Sequence, residues 1–245
     1  MYRTLDSGRI VETADALRTR VEERFPGSGL GKVAAEVAAL AREAHERGEA
    51  IRRPNLPLRA GIAVLVAAAL GGLVLVATRV RATEGMWLFE NFVGEVNNLL
   101  GALVFLGAAI AFLVSLETRI KRRKALEALT ELRAVAHIVD MHQLTKDPEP
   151  LLLPGPTTLH SPKRTMTPFE LSRYLDYCTE LLSLLSKVGA VYVAAFPDPV
   201  AMDAADDIEE LCSGLSQKVW QKLALLDRFA RPGSAQAKEV AGGPA

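Results

Sequence analysis

Cysteine is nearly missing from this chain: Cys178 and Cys212 are the only two in 245 residues, which excludes a disulfide scaffold. Net charge is missing as well. The 29 basic side chains are matched by 29 acidic ones, a balance that argues against a general nucleic-acid binder, which carries a basic excess. Glycine and proline follow no repeat, so nothing fibrous is in view. The common catalytic signatures are also absent: no CxxC, no HExxH, no nucleophile with a matching base and no paired catalytic carboxylates. No enzyme class and no cofactor are therefore read from the sequence. Apolar residues, by contrast, make up 49% of the chain and charged ones 24%, which excludes a disordered polymer. At about 100–200 residues per domain, the length allows one or two domains.

The apolar residues are unevenly spread. Between Arg59 and Arg79 the 19 residues from Ala60 to Thr78 carry no charge. As a helix at roughly 1.5 Å per residue, this run is about 28 Å long, close to the roughly 30 Å of a bilayer's hydrocarbon. A second uncharged run, Val96 to Leu116, has 21 residues. Buried helices of a soluble core are the alternative, but such helices rarely go about five turns without a polar face. Two membrane-spanning helices, 58–80 and 96–117, are expected, joined by a short external interfacial loop, 81–95. That loop carries Trp87, Phe89 and Phe92, residue types that settle at the headgroup level. Arg42, Arg47, Arg52, Arg53 and Arg59 precede the first run, and Arg119, Lys121, Arg122, Arg123, Lys124 and Arg133 follow the second. The connector holds only Arg79 and Arg81. This bias places both termini in the cytoplasm. With about 57 residues, many of them charged, ahead of the first run, a cleavable signal peptide is not expected.

Neither run contains an ionisable residue, so a coupled transporter is not expected and any pore has an apolar wall. Small residues spaced four apart (Ala67 and Gly71, Ala68 and Gly72) and a second group around Gly107 and Ala111 mark helix-packing faces. These serve a hairpin or neighbouring subunits.

Outside the runs the periodicity is helical throughout. Residues 1–57 read as an N-terminal helical hairpin broken at Pro26-Gly27-Ser28-Gly29. Residues 118–146, free of Pro and Gly, continue the second span as a juxtamembrane helix. A Pro-rich linker, 147–167, follows. Thr167-Pro168-Phe169-Glu170 then matches a capping box with proline at the first helical position. It opens a second hairpin, 168–230, whose last helix starts at Asp198-Pro199. The stripe Leu171, Tyr174, Cys178, Leu181, Leu185 and Val188 repeats in heptads and needs a partner helix. The apolar end of that helix, Leu181 to Phe196, is interrupted by Ser183, Ser186 and Lys187 and is short for a crossing. A tail, 231–245, reads as flexible. The fold class expected is all-α: an integral membrane protein with a two-helix transmembrane hairpin and a cytosolic helical, coiled-coil-like bundle.

Chemistry is sparse. The two cysteines fall on apolar stripes and read as buried structural residues. Gly27 to Lys32 resembles a phosphate-binding loop, but it is one residue short of GxxxxGK[ST] and follows no strand; a helix-breaking turn accounts for it. His137 and Asp140 share a helical face and could ligate one ion, whereas His142 lies about 140° round the helix from His137. A metal there would need His160 or the Asp206/Asp207 end of the last helix, and a polar patch at a bundle interface is the simpler reading. The basic cluster Arg119, Lys121, Arg122, Arg123 and Lys124 abuts the membrane, setting topology or meeting anionic lipid. The acidic last hairpin could dock on this basic helix.

These features fit a non-enzymatic two-span membrane protein whose cytosolic helices self-associate and recruit a cytosolic partner at the lipid bilayer. An oligomeric pore or membrane-perturbing effector gated by those helices is the alternative. In layout the chain resembles the two-span effector modules of bacterial nucleotide-signalling defence systems, and that resemblance implies the second reading. A metal-dependent membrane enzyme is a third. Homo-oligomerisation is expected and nucleic-acid binding is not; the Ala/Arg-rich composition suits a bacterial inner membrane.

Overall fold

The computed structural model describes residues 5–79, 89–148, 156, 158–161 and 165–230. Among these residues every regular element is a helix: α1 (Ser7–Arg24), α2 (Gly29–Arg52), α3 (Leu56–Arg79), α4 (Phe89–Leu144), α5 (Pro168–Ala195) and α6 (Pro199–Ala230). Residues 81–88 of the expected loop, with Trp87, lie outside the described residues, as do much of the Pro-rich linker and the 231–245 tail. Helix α4 starts at Phe89, inside the stretch expected to be loop, and runs on to Leu144 with no Pro to interrupt it.

Local signals set the helix ends. Asp6 caps α1, its Oδ1 accepting from the Gly8 and Arg9 amides at 3.0 and 3.3 Å. Thr167 and Glu170 form the reciprocal box: the Glu170 amide donates to Thr167 Oγ1 at 3.2 Å, and the Thr167 amide donates to Glu170 Oε2 at 2.8 Å. Asp198 Oδ1 accepts from the Val200 and Ala201 amides at 3.2 and 3.3 Å to open α6. Between α1 and α2 the chain turns at Gly27, whose φ of 67° suits glycine.

The chain divides into two compact units, Met1–Ala50 with Ala125–Ala245, and Ile51–Lys124. In the first, α5 is central. It packs most extensively on α6 and α1, where Leu171 and Leu175 meet Val219 and Leu226, with Met166 and Leu223 at the edge. Phe25 at the end of α1 sets its ring edge-on to Tyr174, 5.5 Å between centroids. Gly48 of α2 sits beside Val191 and Ala195, and Gly189 lets Leu129 and Leu132 of α4 approach. The whole heptad stripe of α5 is buried: Leu171, Tyr174, Cys178, Leu181, Leu185 and Val188. Each fully buried leucine contributes about 1.5–3 kcal/mol. A helix covered from several sides is apolar around most of its circumference, which explains the composition of α5.

The second unit is the opposite case. Its large aliphatic and aromatic side chains point outward: Val64, Leu65, Val74 and Leu75 of α3 and Val104, Phe105 and Phe112 of α4 are exposed. Three helical segments, Gly29–Gly72, Leu100–Leu144 and Pro168–Ala195, are long and apolar enough to cross a membrane, where the sequence reading expected two. The apolar windows of the first two are 0% buried and that of the third is 50% buried.

Candidate functional site

The most organised charged site in the second unit lies where α3 begins and the uncharged run of α4 ends. Pro54 and Pro57 bracket the start of α3, and the turn leaves the Asn55 amide without a helical partner. Glu117, the residue that closes the uncharged run, takes it: Asn55 N donates to Glu117 Oε1 at 3.2 Å. The same carboxylate accepts from Arg59 Nε at 2.7 Å and pairs with Lys121 Nζ at 3.0 Å. Lys121 also donates to the Arg53 carbonyl at 3.0 Å. Glu117 is only 13% exposed at its side chain, against 59% for Arg59. One carboxylate thus fastens the start of α3 to α4. Arg119 sets its guanidinium 5.2 Å above the Phe112 ring. Of the basic cluster, Arg119, Arg123 and Lys124 are exposed, and Lys121 and Arg122 are half-buried.

In the first unit a cavity of about 1050 Å³ runs between α1, α5 and α6. Its floor includes Ile10, Leu17, Leu184 and Cys212; Ser183, Ser186, Ser213 and Ser216 line it, with Trp220 at its edge. Trp220 is 63% exposed. Lys187 Nζ donates to Ser183 Oγ at 2.6 Å and to the Ser183 carbonyl at 3.3 Å. This pair does not build a nucleophile. An exposed ammonium donating to a hydroxyl does not withdraw its proton, and helix-internal amides are spent on the helix and cannot form an oxyanion hole. Burial, with Glu209 second, pushes the Cys212 thiol up to about 11, so it is not a reactive thiolate.

His137 is exposed, while Asp140 accepts from Gln143 Nε2 at 2.6 Å. His142 turns away to pack on Gly29, where an added Cβ would lie 2.5 Å from its Cε1. The three are not gathered, and no group of three His, Cys, Asp or Glu side chains that could hold a metal occurs among the described residues. Lys222, its pKa lowered by burial, instead donates from Nζ to the Gln143 carbonyl at 2.8 Å. The phosphate-loop lookalike is a capped helix start. Ser28 Oγ accepts from the Gly31 amide at 3.1 Å, and Glu22 accepts from the Gly27 amide at 3.0 Å. The Glu22 carboxylate stands where an anion would have to sit.

The acidic last helix does form an ion pair with the basic one, Arg133 NH2 to Asp207 Oδ2 at 2.9 Å, between exposed side chains. Gly71, Gly72 and Gly107 have open space where a Cβ would stand, and Ala111 is exposed, so the described chain leaves these packing faces uncovered. Sequence reasoning passed over Glu117, whose signal was a lone acid closing an uncharged run opposite an arginine that opens one. It also passed over Glu22 and Trp220. No family model matches the chain, and no curated protein or solved structure matches it significantly.

Proposed function

We propose that the chain is a non-enzymatic membrane anchor that crosses the bilayer twice, through α3 and the first part of α4. Its remaining helices form a cytosolic bundle that self-associates and recruits a partner protein. The observation that carries this reading is the contrast in burial among helices of similar composition. The apolar windows of Gly29–Gly72 and Leu100–Leu144 are 0% buried and that of α5 is 50% buried. Exposed apolar surface of this extent is costly in water and neutral in hydrocarbon, whereas α5 already has protein around it. Both termini are assigned to the cytoplasm by the Lys/Arg bias of the flanks.

Labelling of an added cysteine tests the crossing number, because the native Cys178 and Cys212 are buried and an otherwise native chain supplies the background. Thr83→Cys, Thr165→Cys and Ser213→Cys are treated with a membrane-impermeant maleimide in intact cells and after lysis. Two crossings give labelling of the Thr83 position in intact cells and of the other two only after lysis. Thr165 and Ser213 positions on opposite sides would mean that α5 crosses, and the reading fails.

The uncovered glycine faces at Gly71, Gly72 and Gly107 favour a second reading, in which several copies pack in the membrane around an apolar-walled pore. Discrete conductance steps from purified protein in planar bilayers would support the pore over the anchor.

A further inference from the structure

The two stretches that Glu117 fastens together are both basic. Residues 52–59 carry Arg52, Arg53 and Arg59; residues 117–124 carry Arg119, Lys121, Arg122, Arg123 and Lys124, and Glu117 is the one acid in either stretch. Arg59 and Glu117 are 58 positions apart in sequence, so folding adds the arginines at the start of α3 to the local basic run of α4. Its position is also fixed. Arg59 immediately precedes the uncharged run of α3, and Glu117 immediately follows that of α4. The positive charge therefore stands at the boundary of two exposed apolar helices. Arg119 lies over the ring of Phe112, inside the run, which holds its guanidinium at that boundary and not extended away from it. Arg53, Arg119 and Lys124 are exposed, and Arg59 keeps most of its side chain exposed while bonded to Glu117.

A ligand for this collar must be anionic, must present oxygen acceptors to guanidinium and ammonium donors, and must reside at the edge of a hydrocarbon layer. Phosphate suits both donor types, arginine in two-pronged fashion. Of the phosphate sources, only a lipid headgroup is tethered at that depth. We propose that this collar binds the phosphates of anionic phospholipids in preference to zwitterionic ones. The proposal rests on the reading that α3 and α4 cross the membrane.

The test uses the purified full chain in a neutral detergent, melted by circular dichroism with added phosphatidylglycerol, phosphatidylcholine or inorganic phosphate. Phosphatidylglycerol is expected to raise the melting temperature in a dose-dependent way that weakens with salt; the other two are expected to leave it unchanged. Each basic group near an anionic surface corresponds to roughly a fivefold gain. The variant Arg53→Gln/Arg119→Gln/Lys124→Gln should therefore need on the order of a hundredfold more phosphatidylglycerol for the same shift. Arg133→Gln, basic but outside the collar, should respond as the native chain does. Where the triple variant does not reach a native spectrum, Lys124→Gln alone is used, with roughly a fivefold effect expected. Equal shifts with phosphatidylcholine, an equal shift with inorganic phosphate, or an undiminished response of the variant would each overturn the proposal. Release of the native chain from membranes by alkaline carbonate would instead overturn the crossing reading itself. Retention without headgroup preference would sink only the lipid site.

Discussion

Replacing Leu185 by alanine should separate the helix that is covered by protein from the ones that are not. Leu185 is 0% exposed in the central stripe of α5. The change removes about three carbons, worth roughly 0.8 kcal/mol each in transfer free energy, or about 2.4 kcal/mol. The cavity left behind adds to this, so that large-to-small changes at such sites cost about 2–5 kcal/mol. For a chain of this size each kcal/mol lowers the melting temperature by about 2–4 °C, which places the expected drop at about 4–20 °C. Leu65 of α3 is 57% exposed, and Leu65→Ala removes the same atoms from a site with few protein neighbours. In detergent its effect should stay within about 0.5 kcal/mol. The assay is helical circular dichroism against temperature for both variants in one detergent. A large loss from Leu65→Ala together with a negligible one from Leu185→Ala would refute the assignment of α5 to a protein core.

Three further outcomes are expected. Gly29→Ala would place a Cβ 2.5 Å from His142 Cε1, the far end of a side chain that can swing aside, so its melting should change by no more than about 1 kcal/mol; a melting series of Gly29→Ala with and without His142→Ala checks this, and a large loss in the single variant alone would show the imidazole to be held in place. The Cys212 thiol, raised to about 11 by burial, contributes stability that is full below an unfolded thiol's pKa and fades as pH rises from about 9 toward 11. Melting of Cys212→Ala beside the native chain between pH 8 and 10.5 should show a shallower decline in the variant. Gly71→Leu and Gly107→Leu enter open space in the single chain, so they should leave its melting unchanged. If copies pack through these faces, chemical cross-linking in the membrane should fall.

The elements with short-range causes were readable from sequence. The capping box at Thr167 and Glu170, the aspartate that opens α6 and the Gly27 turn each depend on residues within a few positions, and all three stand in the structure. The stripe from Leu171 to Val188 announced that α5 needed cover, but periodicity reports a face and not its partners. That α5 is packed by α6 and α1, with Gly48 of α2 and Leu129 of α4 also against it, depends on contacts distant in sequence. The same limit applied to Glu117, whose partners Arg59 and Asn55 are 58 and 62 positions away. For the His137, Asp140 and His142 segment, sequence supplied residue types without rotamers. Folding sends Asp140 to Gln143 and His142 to Gly29. The cavity beside Trp220 is a product of three helices meeting, and no window of one helix contains it.

The central place of α5 also bears on how the chain is made. During synthesis its greasy surface is complete before α6, from Pro199 onward, has left the ribosome. Until Val219 and Leu226 arrive to close over Leu171 and Leu175, that surface is open to insertion machinery and to other nascent chains. A stop codon placed near Gly214 would remove Val219 and Leu226 and leave Leu171 and Leu175 permanently without that cover. The product should misfold or be degraded, even though every residue of α3 and α4 is intact.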